Sequence, residues 1–213
     1  VHPGSGSVRY VIRNNHVHHN DKHGAFYCLR TTYSQCDSNE IHANGESGIS
    51  IGERDTNHLI RSNEIYGNAG PGIVFRSARF HGGDRCVVHG NAMRRNSTAG
   101  GGAQVVIENG VRHLVLRRNF FYLNGDEPSD FRAVTVGEGC ERIHLFDNTV
   151  GGSALTSENV EDRASAVQMS EPETPPAAGL QAAQTDSARH LGLLLPAGWE
   201  GPPQHLTDTD VGT

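Results

Sequence analysis

The sequence predicts an all-β fold: a right-handed parallel β-helix (solenoid) of about six coils, followed by an acidic, Pro/Ala-rich tail. Three observations predict it. A unit of the form Asn-x-apolar-x-x-Asn recurs along the chain. Two apolar positions keep register with that unit in every copy. The composition is rich in glycine and poor in bulk hydrophobics.

The repeat reads NHVHHN from Asn15, NEIHAN from Asn39, NEIYGN from Asn63, NAMRRN from Asn91 and NFFYLN from Asn119. A sixth copy, NTVGGS from Asn148, lacks only the last Asn. The leading Asn recurs after 24, 24, 28, 28 and 29 residues. Three residues before it stand Ile12, Cys36, Ile60, Val88, Leu116 and Leu145; two residues after it stand Val17, Ile41, Ile65, Met93, Phe121 and Val150. A second apolar segment follows in each full unit: AFYCL, GISIG, GIVFR, QVVIE and AVTVG.

Units this short hold strands of a few residues with period-two alternation. None can bury its own apolar face, so copies must stack about 4.8 Å apart into a continuous core. The Asn residues suit sharp corners, because Asn tolerates the left-handed conformation, and stacked Asn side chains can hydrogen-bond along a ladder. No 3.6-residue period is present, which excludes helical solenoids.

Composition agrees. The chain has 213 residues, 35% of them hydrophobic, with 26 glycines and a net charge of −6. A narrow continuous core needs less apolar residue than a globule of this length. From Ser153 onward there are two basic and nine acidic residues, so the tail carries −7 and the rest +1. A near-neutral body has no electrostatic footprint for nucleic acid. No stretch is long enough to span a membrane. Cys28, Cys36, Cys86 and Cys140 form no CxxC pair, so they read as small buried hydrophobes, or as a disulfide if the protein is exported.

The predicted organisation is a β-helix over 1–153 and a flexible tail over 154–213. The tail holds six of the nine prolines, and its stretch EPETPPAAGLQAAQTDSA reads as a linker. A short apolar piece follows near 190–199, with the single Trp199, and is expected to dock. Nothing before Val8 reads as a cap for the open end of a β-helix, so the expectation is that this is the C-terminal part of a longer one.

The Asn-rich turns resemble those of the pectin-lyase-like superfamily, in particular the repeats of carbohydrate-binding proteins and sugar hydrolases. The segment GISIGERDTNHLIRSNEIYGNAGPGIVFR, Gly48 to Arg76, is similar to stretches of bacterial β-helix proteins. The resemblance covers residues 8 to about 153. It implies a carbohydrate-active protein with a polysaccharide or oligosaccharide partner and an extracytoplasmic location. It leaves lyase, hydrolase and epimerase chemistry open, and equally a non-catalytic binding or scaffold module. Neither the oligomeric state nor a cofactor follows from it; no spacing indicates calcium.

Three outward rows are candidates for function. The first precedes each leading Asn: Arg13, Asp37, Arg61, His89 and Arg117. Its alternating signs suit cross-strand stabilisation. The second follows the leading Asn. Glu40 and Glu64 stand one coil apart with His16 below them, and beside them run His18, His42, Tyr66, Arg94 and Tyr122. Two neighbouring carboxylates could form a glycosidase pair, or be eased by Arg61; the tyrosines could stack on sugar rings. Glu40, Glu64, Tyr66, Arg94 and Tyr122 are the expected substrate-binding residues. The third row is the corner after the last strand: Glu53, Arg54, Asp55 and Thr56, then Arg76 and the loop carrying His81, with Glu108 and Glu138 further on.

This corner is the expected catalytic cluster. Arg54 and Arg76 would neutralise a uronate carboxylate, and His81 or an arginine of shifted pKa would take the neighbouring proton. Glu53 with Asp55, or Glu40 with Glu64, would serve a hydrolase. Corner residues also cap turns, which is the alternative for Asp55 and Thr56. The run HVHHNDKH meets no metal-spacing template, so its histidines read as surface residues and no metal is expected.

Overall fold

A computed structural model describes residues 1–77, 82–99, 102–123 and 131–173. The expected loop residue His81, the linker from 174 and the apolar piece at 190–199 lie outside the described residues. Short strands stack into three parallel sheets. The first holds Val11–Arg13, Gln35–Asp37, Leu59–Arg61, Val87–His89, Val115–Arg117, Ile143–Phe146 and Val167–Gln168. The second holds His16–His18, Glu40–His42, Glu64–Tyr66, Ala92–Arg94, Phe120–Phe121 and Thr149–Val150. The third holds Ala25–Phe26, Ile49–Ile51, Ile73–Phe75, Ala103–Ile107, Arg132–Val136 and Val160–Asp162. This is a right-handed parallel β-solenoid, with five turns separating its six repeat copies. No described helix is long and apolar enough to cross a membrane.

Register follows the repeat. Ile12 pairs Cys36, then Ile60, Val88, Leu116 and Leu145; Val17 pairs Ile41, then Ile65, Met93, Phe121 and Val150. Both stacks are buried and belong to one continuous core. The cysteines are unpaired; Cys36, Cys86 and Cys140 are buried and Cys28 is half-buried.

The leading Asn residues form an internal ladder. Each Nδ2 donates to the Oδ1 of the next, from Asn15 through Asn39, Asn63, Asn91 and Asn119 to Asn148, at 2.9–3.0 Å. A second ladder runs Asn20, Asn44, Asn68, Asn96 and ends on Gln104. The left-handed corner is not the Asn itself. It is the residue before it: Asn14, Ser38, Ser62, Gly90, Arg118 and Asp147 on the first ladder all have φ between 52° and 62°. The corner turns there, and the Asn side chain then points inward to satisfy backbone groups that the turn leaves without sheet partners.

The solenoid runs past residue 153. Ser153–Ala154 folds back antiparallel on Thr149–Val150, which ends the second sheet. The other two sheets each gain one more strand, Val160–Asp162 and Val167–Gln168. The Asp162 carboxylate shapes the corner between them, accepting from the amides of Ala164, Ala166 and Val167 at 2.9–3.2 Å. This coil has lost the Asn unit, so the repeat does not announce it.

Candidate functional site

In strands this short, inward and outward residues alternate. With Val17, Ile41, Ile65 and Met93 inward, their neighbours on the second sheet face outward. Two columns result: His16, Glu40, Glu64, Ala92, and beside it His18, His42, Tyr66, Arg94.

These columns interlock across four coils. Tyr66 Oη donates to Glu40 Oε1 at 2.5 Å. His16 Nε2 and His42 Nε2 share one hydrogen bond at 2.6 Å, and His16 Nε2 lies 3.7 Å from Glu40 Oε2. Arg94 Nη2 donates to Glu64 Oε1 at 2.9 Å. The flat groups stack along the solenoid axis. The His42 and Tyr66 rings are 4.7 Å apart and 2° from parallel, with the Arg94 guanidinium 4.0 Å from the Tyr66 centroid. The His18 ring covers His42 at 5.1 Å and 9°. Tyr66 therefore has one ring face on His42 and the other on Arg94. It offers its edge, not a face, to a sugar. Tyr122 is exposed.

The electrostatics follow from this packing. Burial lowers the His42 pKa, Glu40 works against that, and the neighbouring His16, His18 and His19 lower it further. Burial raises the Tyr66 pKa, and its hydrogen bond to Glu40 raises it more, so Tyr66 is a neutral donor at pH 7. Arg94, not Arg61, eases the carboxylate pair. Arg61 belongs to the first sheet, where Arg13 and Arg61 both reach Asp37 Oδ2, at 2.7 and 3.0 Å. That row continues into His89, whose pKa falls to about 4 through burial and the nearby Arg117, Arg118 and Arg61. It reads as a cross-strand charge ladder.

At the third-sheet corner the geometry is structural. Asp55 is fully buried and accepts from the Thr31 amide (2.8 Å), the Thr31 hydroxyl (2.9 Å) and the Gly52 amide (3.0 Å). Register places Arg76 above Gly52, as expected, but its side chain runs back over two coils. It passes where a Cβ on residue 52 would stand, covers the Phe26 ring at 4.6 Å and donates to the Tyr27 carbonyl at 3.0 Å. Asp55 thus caps the turn and Arg76 is a strut. Glu53 bridges to Gly82, and Arg54 sits in the left-handed region at φ 63°.

Further along the same sheet a cleft of about 350 Å³ opens between Ser77, Glu108, Thr135, Glu161 and Arg163. Arg163 is paired with Glu161 there at 2.8 Å. Spacing gave no warning of this cleft, since Glu161 and Arg163 lie in the coil without the Asn unit.

Fold and surface define a class: a right-handed parallel β-helix with a dense titratable cluster on one outer sheet. The chain belongs to the family described as the right handed beta helix region, whose model matches residues 4–121. No curated protein matches it. Among solved structures it is similar to the A-module of mannuronan C-5 epimerase AlgE4 of Azotobacter vinelandii, with 16% identity and a TM-score of 0.51 over 78% of this chain and 57% of that one. The AlgE6 A-module from the same organism gives 14% identity and 0.47, over 79% and 56%. Pectate lyase Pel9A gives 12% identity and 0.45, over 78% and 55%. The likeness is one of fold, and this chain spans little more than half of each structure.

Proposed function

We propose that the protein is a carbohydrate-active β-helix that takes an acidic polysaccharide along the outer face of the second sheet, by proton-transfer chemistry of the lyase or epimerase kind. The observation that carries this reading is the convergence of His16, Glu40, His42, Glu64, Tyr66 and Arg94 from four successive coils onto one face. Imidazoles there are available to take the proton beside a sugar carboxylate, and Tyr66 holds the Glu40 carboxylate in place beside them. The same geometry argues against a hydrolytic Glu40–Glu64 pair. Glu40 already accepts from Tyr66, and Glu64 is neutralised by Arg94. A retaining hydrolase needs one carboxyl ready to protonate the leaving group and the other ready to attack. A polymer substrate of this class puts the working location outside the cytoplasm.

One observation favours the non-catalytic reading: the stack is closed on itself, with both Tyr66 faces covered. The test is a panel of alginate, pectin, chondroitin and neutral glycans. Unsaturated uronides are read by absorbance, new chain ends by reducing-sugar assay, and epimerised residues by proton NMR. Lyase or epimerase products from an acidic polymer, lost in His42→Ala and Tyr66→Phe, support the proposal. Products from neutral glycans only would overturn it. Binding without any product would establish the non-catalytic module.

A further inference from the structure

The histidines of the first repeat read as incidental in the sequence, yet the fold gathers two of them with a carboxylate. His16 Nε2, His42 Nε2 and Glu40 Oε2 come from two adjacent coils, and their donor atoms all lie within 4.8 Å of one another. We infer that His16, Glu40 and His42 form a binding site for a divalent transition-metal ion of the zinc class.

The donor set has the right chemistry. Two imidazole nitrogens and one carboxylate oxygen suit zinc, and three protein ligands leave a fourth position for solvent. Bond lengths of 2.0–2.2 Å around a tetrahedral ion separate neighbouring donors by about 3.3 Å. The His16–Glu40 spacing of 3.7 Å is close to that. The His16–His42 spacing of 2.6 Å is that of a shared proton, so the two rings must part by about 0.7 Å to admit an ion. His16 is exposed on the outer face and has room to do so.

Two further observations point to the same ligands. Metal-binding side chains are held by partners behind them. Tyr66 ties Glu40 through Oε1, while Oε2 is the oxygen 3.7 Å from His16 Nε2. His42 is clamped between the parallel rings of His18 and Tyr66, which fixes its plane. His18 lies outside the donor set, with its Nδ1 on His19, so an imidazole remains on this face for proton transfer.

The inference does not rest on the polysaccharide reading: an ion binds here whether or not a sugar does. The test titrates zinc chloride into chelator-treated protein near neutral pH by calorimetry, with melting temperature followed in parallel. One ion per chain is expected, and bound zinc should raise the melting temperature, because it binds the folded state. His42→Ala and Glu40→Gln should each weaken binding at least tenfold. Tyr66→Phe should weaken it roughly 10–100-fold through the carboxylate it orients. A His19→Ala variant should bind as the wild type does, and His18→Ala, which removes one side of the His42 clamp, should weaken binding less than His42→Ala does. The substituted side chains lie outside the core, so the metal-free variants should keep the wild-type circular dichroism. Zinc binding that survives both His42→Ala and Glu40→Gln, that disappears with His19→Ala instead, or that is absent from the wild type overturns the assignment.

Discussion

The Asn ladder makes a demanding test of the fold, because it predicts that one uncharged side chain inside the solenoid matters as much as a core isoleucine. Asn63 is fully buried, and its side chain makes four hydrogen bonds with nitrogen and oxygen partners besides accepting a longer one, 3.9 Å, from the Cys36 thiol. Its Oδ1 accepts from the Asn39 amide and from Asn39 Nδ2, both at 2.9 Å; its Nδ2 donates to the Cys36 carbonyl at 3.0 Å and to Asn91 Oδ1 at 2.9 Å. In Asn63→Ala some of these partners have other contacts. Asn39 Nδ2 still reaches the Ile12 carbonyl, and Asn91 Oδ1 still accepts from the residue 63 amide. The Asn39 amide loses its acceptor. An orphaned buried group costs about 1–3 kcal/mol, and the weakened neighbours and small void add to that, so the expected loss is about 2–4 kcal/mol. Asn63→Asp separates hydrogen bonding from volume. It keeps the shape but turns an oxygen toward the Cys36 carbonyl and Asn91 Oδ1, so at neutral pH it should cost at least as much. Asn148→Ala, at the ladder's far end, loses three bonds instead of four and should cost less. Urea denaturation followed by far-UV circular dichroism measures all three. A loss below about 0.5 kcal/mol for Asn63→Ala, within the range of ordinary surface changes, would refute the ladder's role.

Ile65 is fully buried between Ile41 and Met93, so Ile65→Ala should cost about 2–5 kcal/mol in the same denaturation assay. A Cβ on Gly48 would fall 2.6 Å from Ile65 Cγ2 and 2.7 Å from the Gly72 carbonyl, so Gly48→Ala should destabilise the chain, whereas the same change at the open position Gly4 should not. His58 is buried with Ser34 Oγ 2.7 Å from its Nδ1, and burial lowers its pKa to about 3 from 6.5. A depressed folded pKa means full stability above pH 6.5 and progressive loss as the unfolded chain takes up the proton, down to about pH 3. Over that window the loss should be on the order of 5 kcal/mol, and His58→Gln, measured across the same range, should show a shallower acid slope.

Much of the site lay in plain view once coils were aligned. The equivalence of Glu40 with Glu64, and the placing of His16, His18, His42, Tyr66 and Arg94 beside them, follow from the 24- and 28-residue spacings of the leading Asn alone. What the alignment could not show was side-chain direction over two or three coils. Arg76 sits where register puts it, but its guanidinium reaches a carbonyl 49 residues earlier in the chain. Asp55 and Glu53 are near neighbours in sequence with different lives, one buried as a turn cap and one at the rim. The last coil escaped notice because Asp162 does the corner's work without an Asn unit.

The sequence by itself determined the solenoid, its register and its core, because a unit too short to bury its own face has one economical solution: stack on the next copy with the same residues inward. Only the tertiary structure decided which of the outward side chains that the register sets in columns bond to one another. Glu40 and His42 are distant from His16 along the chain, so no local spacing template could join them. They come together because stacking makes each residue's nearest neighbour the one a full coil away, and the outer face carries no packing constraint that a repeat pattern would record.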